Sequence, residues 1–187
     1  MNLETERMSN AGHPRPEPGK GFGGLYQDGF YINFLHGLDF LCRKHITKNT
    51  RVLELGCFYG TSAELFRQYT DFLTCVDLEQ YPEMVEVINK YNISFFKTDS
   101  VSFLKGIEKG SFDLIYIDTS HDYYTTMEEL KWSFNNTING QIIAGHDYNT
   151  PGVYNAIRAT FLYPDIEIYL DSSWCIKKTD NLKLINQ

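Results

Sequence analysis

The stretch Arg51-Val-Leu-Glu-Leu-Gly-Cys-Phe-Tyr-Gly60 constrains this chain more than any other. Apolar residues alternate through Leu55, two glycines follow with three residues between them, and helical spacing begins near Thr61. Alternation at period two fits a strand, and glycine permits the sharp reversal of a strand-to-helix turn. Strand, tight turn and helix open a doubly wound α/β domain, in which a small ligand sits over the carboxyl end of the first strand.

The rest of the chain repeats the alternation. Further strands are predicted at 73–77, 93–96, 112–117 and 140–144. Pro82 suits the first turn of a helix with Met84, Val85, Ile88 and Tyr91 inward. A short helix is expected over 101–105, then one carrying Tyr124, Met127, Leu130 and Phe134 inward. Thr150-Pro151 opens a last helix with Tyr154, Ile157 and Phe161 inward. Residues 167–170 and 174–177 read as two strands joined by a short turn, which must pair antiparallel. The fold class is therefore α/β, Rossmann-like and doubly wound, mostly parallel with one antiparallel strand near the C-terminal edge. Residues 1–24 hold three of the six prolines and five glycines, and read as a flexible arm ahead of a domain at 25–187. From Asp28 the spacing of Tyr31, Phe34, Leu35, Leu38, Leu41 and Cys42 predicts an amphipathic helix, a candidate surface for homo-oligomer contact.

The 187 residues carry a formal charge of -7, which repels phosphate backbones and argues against a nucleic-acid partner. The four cysteines lie far apart and read as free buried thiols in a reducing compartment. No apolar run approaches the roughly 20 residues of a membrane span. The polar N-terminus does not read as a secretory signal, so a cytoplasmic protein is expected.

Acids gather at the predicted strand ends: Glu54, Asp77, Asp99, Asp118 and Asp147. The glycine turn is not the dinucleotide fingerprint, since Phe58 stands where a second glycine would let backbone approach a pyrophosphate. Asp77 lies where a carboxylate accepts ribose hydroxyls, with Leu78 beside it. Ribose without pyrophosphate points to a nucleoside, and Glu54 with its neighbours suits a cationic tail.

These motifs, Glu54-x-Gly56-x-x-x-Gly60 with Asp77 and Asp99, resemble those of class I S-adenosylmethionine-dependent methyltransferases. Tyr116-Ile-Asp118-Thr-Ser-His121 and Gly145-His146-Asp147-Tyr148 narrow the resemblance to small O-methyltransferases that include macrolide-sugar enzymes. The resemblance spans about residues 50–160 and implies a seven-stranded sheet with its last strand reversed. It also implies that Gly56, Tyr59 and Gly60 flank the methionine part of the cofactor, Asp77 holds the ribose, Asp99 and Ser100 lie near the adenine, and Asp118 sits beneath the reactive centre. Several relatives hold a divalent metal, magnesium or manganese, at positions that match Asp118, His146 and Asp147. His121, three residues after Asp118, is a candidate general base. The implied acceptor is a hydroxyl of a small molecule or sugar, with Tyr123 and Tyr148 as candidate pocket residues. Two other classes fit the same residues: a catalytically degenerate binding domain, and an NAD- or nucleotide-sugar-linked α/β enzyme.

Overall fold

The computed structural model describes residues 35–185 and the backbone of two strands before them. Those strands, β1 (Gly24–Gln27) and β2 (Phe30–Asn33), pair antiparallel, with Tyr26 opposite Tyr31. The helix predicted from Asp28 therefore starts only at His36, and Tyr31 belongs to β2. Tyr31 and Leu35 stand four residues apart, a separation that both a helix and a strand–turn–helix junction satisfy. The expected arm lies outside the described residues, apart from Gly24.

The main body alternates as follows: α1 (His36–His45), β3 (Arg51–Leu55), α2 (Thr61–Tyr69), β4 (Phe72–Asp77), α3 (Pro82–Tyr91), β5 (Ser94–Lys97), α4 (Ser100–Gly106), β6 (Leu114–Ile117), α5 (Tyr123–Asn136), β7 (Ile142–Gly145) and α6 (Pro151–Thr160). β8 (Phe161–Leu162), β9 (Ile166–Ile168), β10 (Trp174–Lys177) and β11 (Lys183–Leu184) complete it. Seven strands form one sheet in the order β5-β4-β3-β6-β7-β10-β9. The first five are parallel, and β10 runs against both of its neighbours. This is the expected fold class. β8 and β11 form a separate antiparallel pair. No helix among the described residues is long and apolar enough to cross a membrane.

Helices cover both sheet faces, so the central strands are buried on both sides and read as apolar runs. Val52, Cys75 and Tyr116 pack with α1, α2 and α3 on one face, while Leu53, Leu55 and Ile115 pack with α4, α5 and α6 on the other. Across the first face the register aligns Cys75, Glu54, Tyr116, Ala144 and Cys175 in one row. Glu54 is thus a carboxyl group in an otherwise apolar layer, with no exposure to solvent.

Three inward stripes differ from expectation. Val85 is exposed while Val87 is buried on α3, and Tyr154 is exposed on α6. On α5 Tyr124 is 74% exposed, and the buried residues are Thr126, Glu129, Leu130, Ser133 and Asn136. Hydrophobic spacing missed this stripe because α5 buries polar groups with partners: Asn136 donates to the Leu104 carbonyl, and Glu129 accepts from Ser100 and Thr119. The four cysteines are buried and none forms a disulfide.

Candidate active site

The carboxyl ends of β3, β4, β5 and β6 open onto a cavity of about 1090 Å³. Gly56, Cys57, Phe58 and Tyr59 after β3 line it, as do Asp77 and Leu78 after β4. Asp99, Ser100 and Val101 line it from the start of α4, and residues 118–122 from the loop after β6. The predicted residues Gly56, Tyr59, Asp77, Leu78, Asp99, Ser100, Asp118 and His121 thus share one cleft.

Its floor depends on close backbone approach. Gly56 has φ +81°, and a Cβ there would lie 2.1 Å from the Asp118 carbonyl oxygen, so only glycine fits. The turn is then held by Asp77, whose Oδ2 accepts the N–H groups of Cys57 and Phe58, each at 2.9 Å. The other oxygen of Asp77 accepts the Glu79 N–H at 3.1 Å. Asp99 caps α4 by accepting the Ser102 N–H at 2.8 Å.

Glu54 and Gly60 are not among the lining residues. Glu54 lies beneath the turn, accepting from the Ser62 hydroxyl and, at 3.2 Å, from the Cys75 thiol. Burial pushes its carboxyl up to about 8, so it is a protonated group under the floor at neutral pH. That corrects the expectation that Glu54 meets a cationic tail. Gly60 supplies the left-handed N-cap of α2, with φ +86°. Tyr123 and Tyr148 also do not line the cavity; both pack on the core of the second sheet face.

At the β6 and β7 ends, His121 Nε2 lies 3.0 Å from Asp118 Oδ1 and 3.1 Å from Asp147 Oδ2. His121 and Asp147 both have positive φ, 59° and 56°, so the backbone is strained where these groups meet. The Asp118 hydrogen bond, with Asp147 beside it, raises the His121 pKa against the effect of burial. Among the described residues, Asp118, His121 and Asp147 place one ligand atom each within 4.8 Å of the others. This set differs from the expected Asp118, His146 and Asp147. His146 Nδ1 reaches the same Asp147 Oδ2 at 3.1 Å but is turned into the protein. Its buried Nε2 has no hydrogen-bond partner among the described residues. The His146 carbonyl accepts from Trp174 Nε1 at 2.9 Å, which fixes the loop after β7 to β10.

Sequence reading also missed Glu129. Its carboxylate accepts from Ser100 Oγ at 2.5 Å, and Thr119 Oγ1 lies 2.9 and 3.0 Å from its two oxygens. It therefore ties two walls of the cavity together from a fully buried position on α5. The available signal was the spacing of Thr126, Glu129, Leu130 and Ser133, a helical stripe that includes an acid. Gly152 is a second such residue: a Cβ there would lie 2.1 Å from the His121 carbonyl oxygen.

The fold has solved counterparts. An rRNA methylase from Streptococcus thermophilus is 9% identical, with 79% of this chain and 98% of that one covered and a TM-score of 0.59. The N-methyltransferase NodS from Bradyrhizobium japonicum, solved with S-adenosylhomocysteine, is 15% identical over 77% and 85% of the two chains, with a TM-score of 0.52. A TDP-rhamnose 3'-O-methyltransferase of calicheamicin biosynthesis is 16% identical over 78% and 79%, with a TM-score of 0.61. No curated protein matches the sequence. The family model described as "Methyltransferase domain" matches residues 53–148, from β3 through the loop after β7 and more than half of the chain, so this chain belongs to the methyltransferase-domain family.

Proposed function

We propose that this chain transfers a methyl group from S-adenosylmethionine to a hydroxyl of a small molecule, with a polyhydroxylated compound such as a sugar as the acceptor class. The observation that carries this reading is the meeting of Asp118, His121 and Asp147 at the edge of the cavity that Gly56, Asp77 and Asp99 line. The cavity suits the cofactor: the glycine turn exposes backbone, Asp77 offers a carboxylate for ribose, and there is no second glycine for a pyrophosphate. Bound there, the cofactor supplies an electrophilic methyl group on a sulfonium, already a good leaving group.

The protein must then align the acceptor and take its proton. In-line placement alone removes several kcal/mol of barrier. With Nε2 facing two carboxylates, the neutral imidazole of His121 keeps its proton on Nε2, and Nδ1 remains to accept another. Transfer would form the bond from the acceptor oxygen to that methyl carbon while the carbon–sulfur bond breaks, with its electron pair left on sulfur. The hydroxyl proton passes to His121 Nδ1, and Asp118 and Asp147 stabilise the imidazolium. A base so supported suits an alcohol, which loses its proton less readily than an ammonium ion does. Ser120, Asp122 and Thr125 add polar groups to the same end of the cavity, which favours a hydroxyl-rich acceptor.

Two carboxylates and an imidazole also fit a divalent ion, with oxygen donors suited to magnesium or manganese. Asp118, His121 and Asp147 would hold it, and its contribution would be to lower the acceptor hydroxyl's pKa.

The test is a rate and binding comparison. His121→Gln should lower kcat about 10²- to 10⁴-fold while calorimetric affinity for S-adenosylmethionine stays unchanged. A variant that keeps the full rate would remove His121 from the chemistry. No binding of S-adenosylmethionine or S-adenosylhomocysteine to the native chain would remove the reading altogether.

A further inference from the structure

A second constellation lies apart from this cavity, where the end of α1 meets β9 and β10. His45 Nε2 stands 3.7 Å from Cys175 Sγ and 3.6 Å from Glu167 Oε2. One ligand atom from each residue lies within 4.8 Å of the other two. Tyr169 donates its hydroxyl proton to Glu167 Oε2 at 2.9 Å and lies 3.8 Å from Cys175 Sγ, so it orients both. A cavity of about 390 Å³ opens beside the cluster, with Asp165 and Thr179 on its wall.

A thiol, an imidazole and a carboxylate serve two kinds of chemistry. A nucleophile relay needs the imidazole to face the thiol with one nitrogen and the carboxylate with the other. Here both groups meet Nε2, so the three atoms surround one point instead of forming a chain. Tetrahedral zinc, with bonds of about 2.3 Å to sulfur and about 2.0–2.1 Å to nitrogen and oxygen, sets its ligand atoms roughly 3.4–3.6 Å apart. The observed edges of 3.6 and 3.7 Å need little adjustment.

We propose that His45, Glu167 and Cys175 form a site for a borderline transition ion, zinc above all, with a water from the adjoining cavity as fourth ligand. The donor set excludes magnesium and calcium as preferred occupants, because sulfur is a poor ligand for them and only Glu167 offers oxygen. Burial lowers the His45 pKa, which keeps the imidazole neutral and able to ligate. Burial pushes the Cys175 thiol up to about 11, so ion binding releases that proton to solvent and changes no oxidation state. Lys44 Nζ lies 2.7 and 2.6 Å from the two Glu167 oxygens. Its side chain is 50% exposed and can retain Oε1 while Oε2 turns to the ion. Because α1, β9 and β10 each give one ligand, the ion would staple the first helix to the sheet edge that contains the reversed strand. It takes no part in methyl transfer.

Cobalt(II) titration of the chelator-stripped full chain tests this. One equivalent should produce a near-ultraviolet thiolate-to-cobalt charge-transfer band and raise the melting temperature. The Asp118 cluster contains no sulfur and cannot give that band. Cys175→Ser should abolish it, and Asp118→Asn should leave it intact. His45→Asn, at a helix end, should weaken cobalt binding about tenfold or more without moving the melting temperature of the stripped chain. Absence of the band, or its survival in Cys175→Ser, would overturn the proposal. So would rapid alkylation of Cys175 that added cobalt does not slow, since a reactive thiol would then explain the cluster.

Discussion

Asp77 performs two tasks with one carboxylate. It gathers the Cys57, Phe58 and Glu79 N–H groups and so shapes the turn, and it faces the cavity where a ribose would lie. Hydrogen bonds to charged groups contribute about 1.5–3 kcal/mol each. Asp77→Ala should therefore weaken S-adenosylmethionine binding about ten- to a hundredfold by calorimetry, and unchanged affinity would remove the ribose assignment. Much of this site is legible in the sequence, because acids at strand ends meet whenever the strands are parallel neighbours. Glu54 was harder to read. Period two places it on the same face as Val52, but only the register of β4 and β6 shows that its row is otherwise apolar. His121 and His146 were equally ambiguous: His121 and Asp147 have positive φ, which no spacing rule predicts for non-glycine residues, and only the folded loops show that His121 is the imidazole that meets both carboxylates.

Among the elements, α1 depends on a residue far away in the chain. Leu35 at its N-cap makes no side-chain capping bond. Instead Asp171, in the turn between β9 and β10, accepts the Gly37 and Leu38 N–H groups at 2.6 and 3.0 Å, and the Ser173 N–H at 2.9 Å. A Cβ on Gly37 would lie 2.0 Å from Asp171 Oδ1, so this approach requires glycine. Capping across the fold explains why the helix start was not legible locally: the usual Ser, Thr, Asp or Asn signal is absent at that point. Strands β3 to β7, which carry their own turns, were read close to their true limits. Asp171→Ala leaves three buried N–H donors without an acceptor and should destabilise the fold by about 3 kcal/mol in urea unfolding. A loss below about 0.5 kcal/mol, the level of an ordinary surface substitution, would show that water replaces the carboxylate and that α1 does not depend on it.

The molecule as a whole combines these buried groups into a pH response that its composition hides. Burial pushes Glu54 up to about 8 and Glu129 up to about 7. In the unfolded chain both titrate near 4.3, so between that pH and their folded values the folded state binds more protons. Burial opposes a charge on His146, but Asp147, Asp118 and Asp171 hold its pKa at about 9. Its contribution is fully present below its unfolded value, near 6.5, and is lost as pH rises through 9. All three groups act in the same direction: where the folded state holds the extra protons, stability falls as pH rises. On the acid side the sign reverses. Hydrogen bonds from Arg51 lower Asp113, and those from Ser102 lower Asp99, so their contributions are lost below the ordinary carboxylate range. Lys178, lowered to about 8 by burial, favours folding at higher pH, and its effect grows only as pH rises from there towards 10.5. Maximum stability should therefore lie on the acid side of neutrality, near about pH 5, with a decline towards pH 8. Urea unfolding midpoints measured across that range check this. Glu54→Gln keeps an acceptor for Ser62 and removes one titration, so it should flatten the decline between pH 5 and 8. Glu129→Gln should flatten the lower half of the same window. A native curve that rises through neutrality would mean that both carboxyls ionise in the folded protein, and the dry floor beneath the glycine turn would have to be wet.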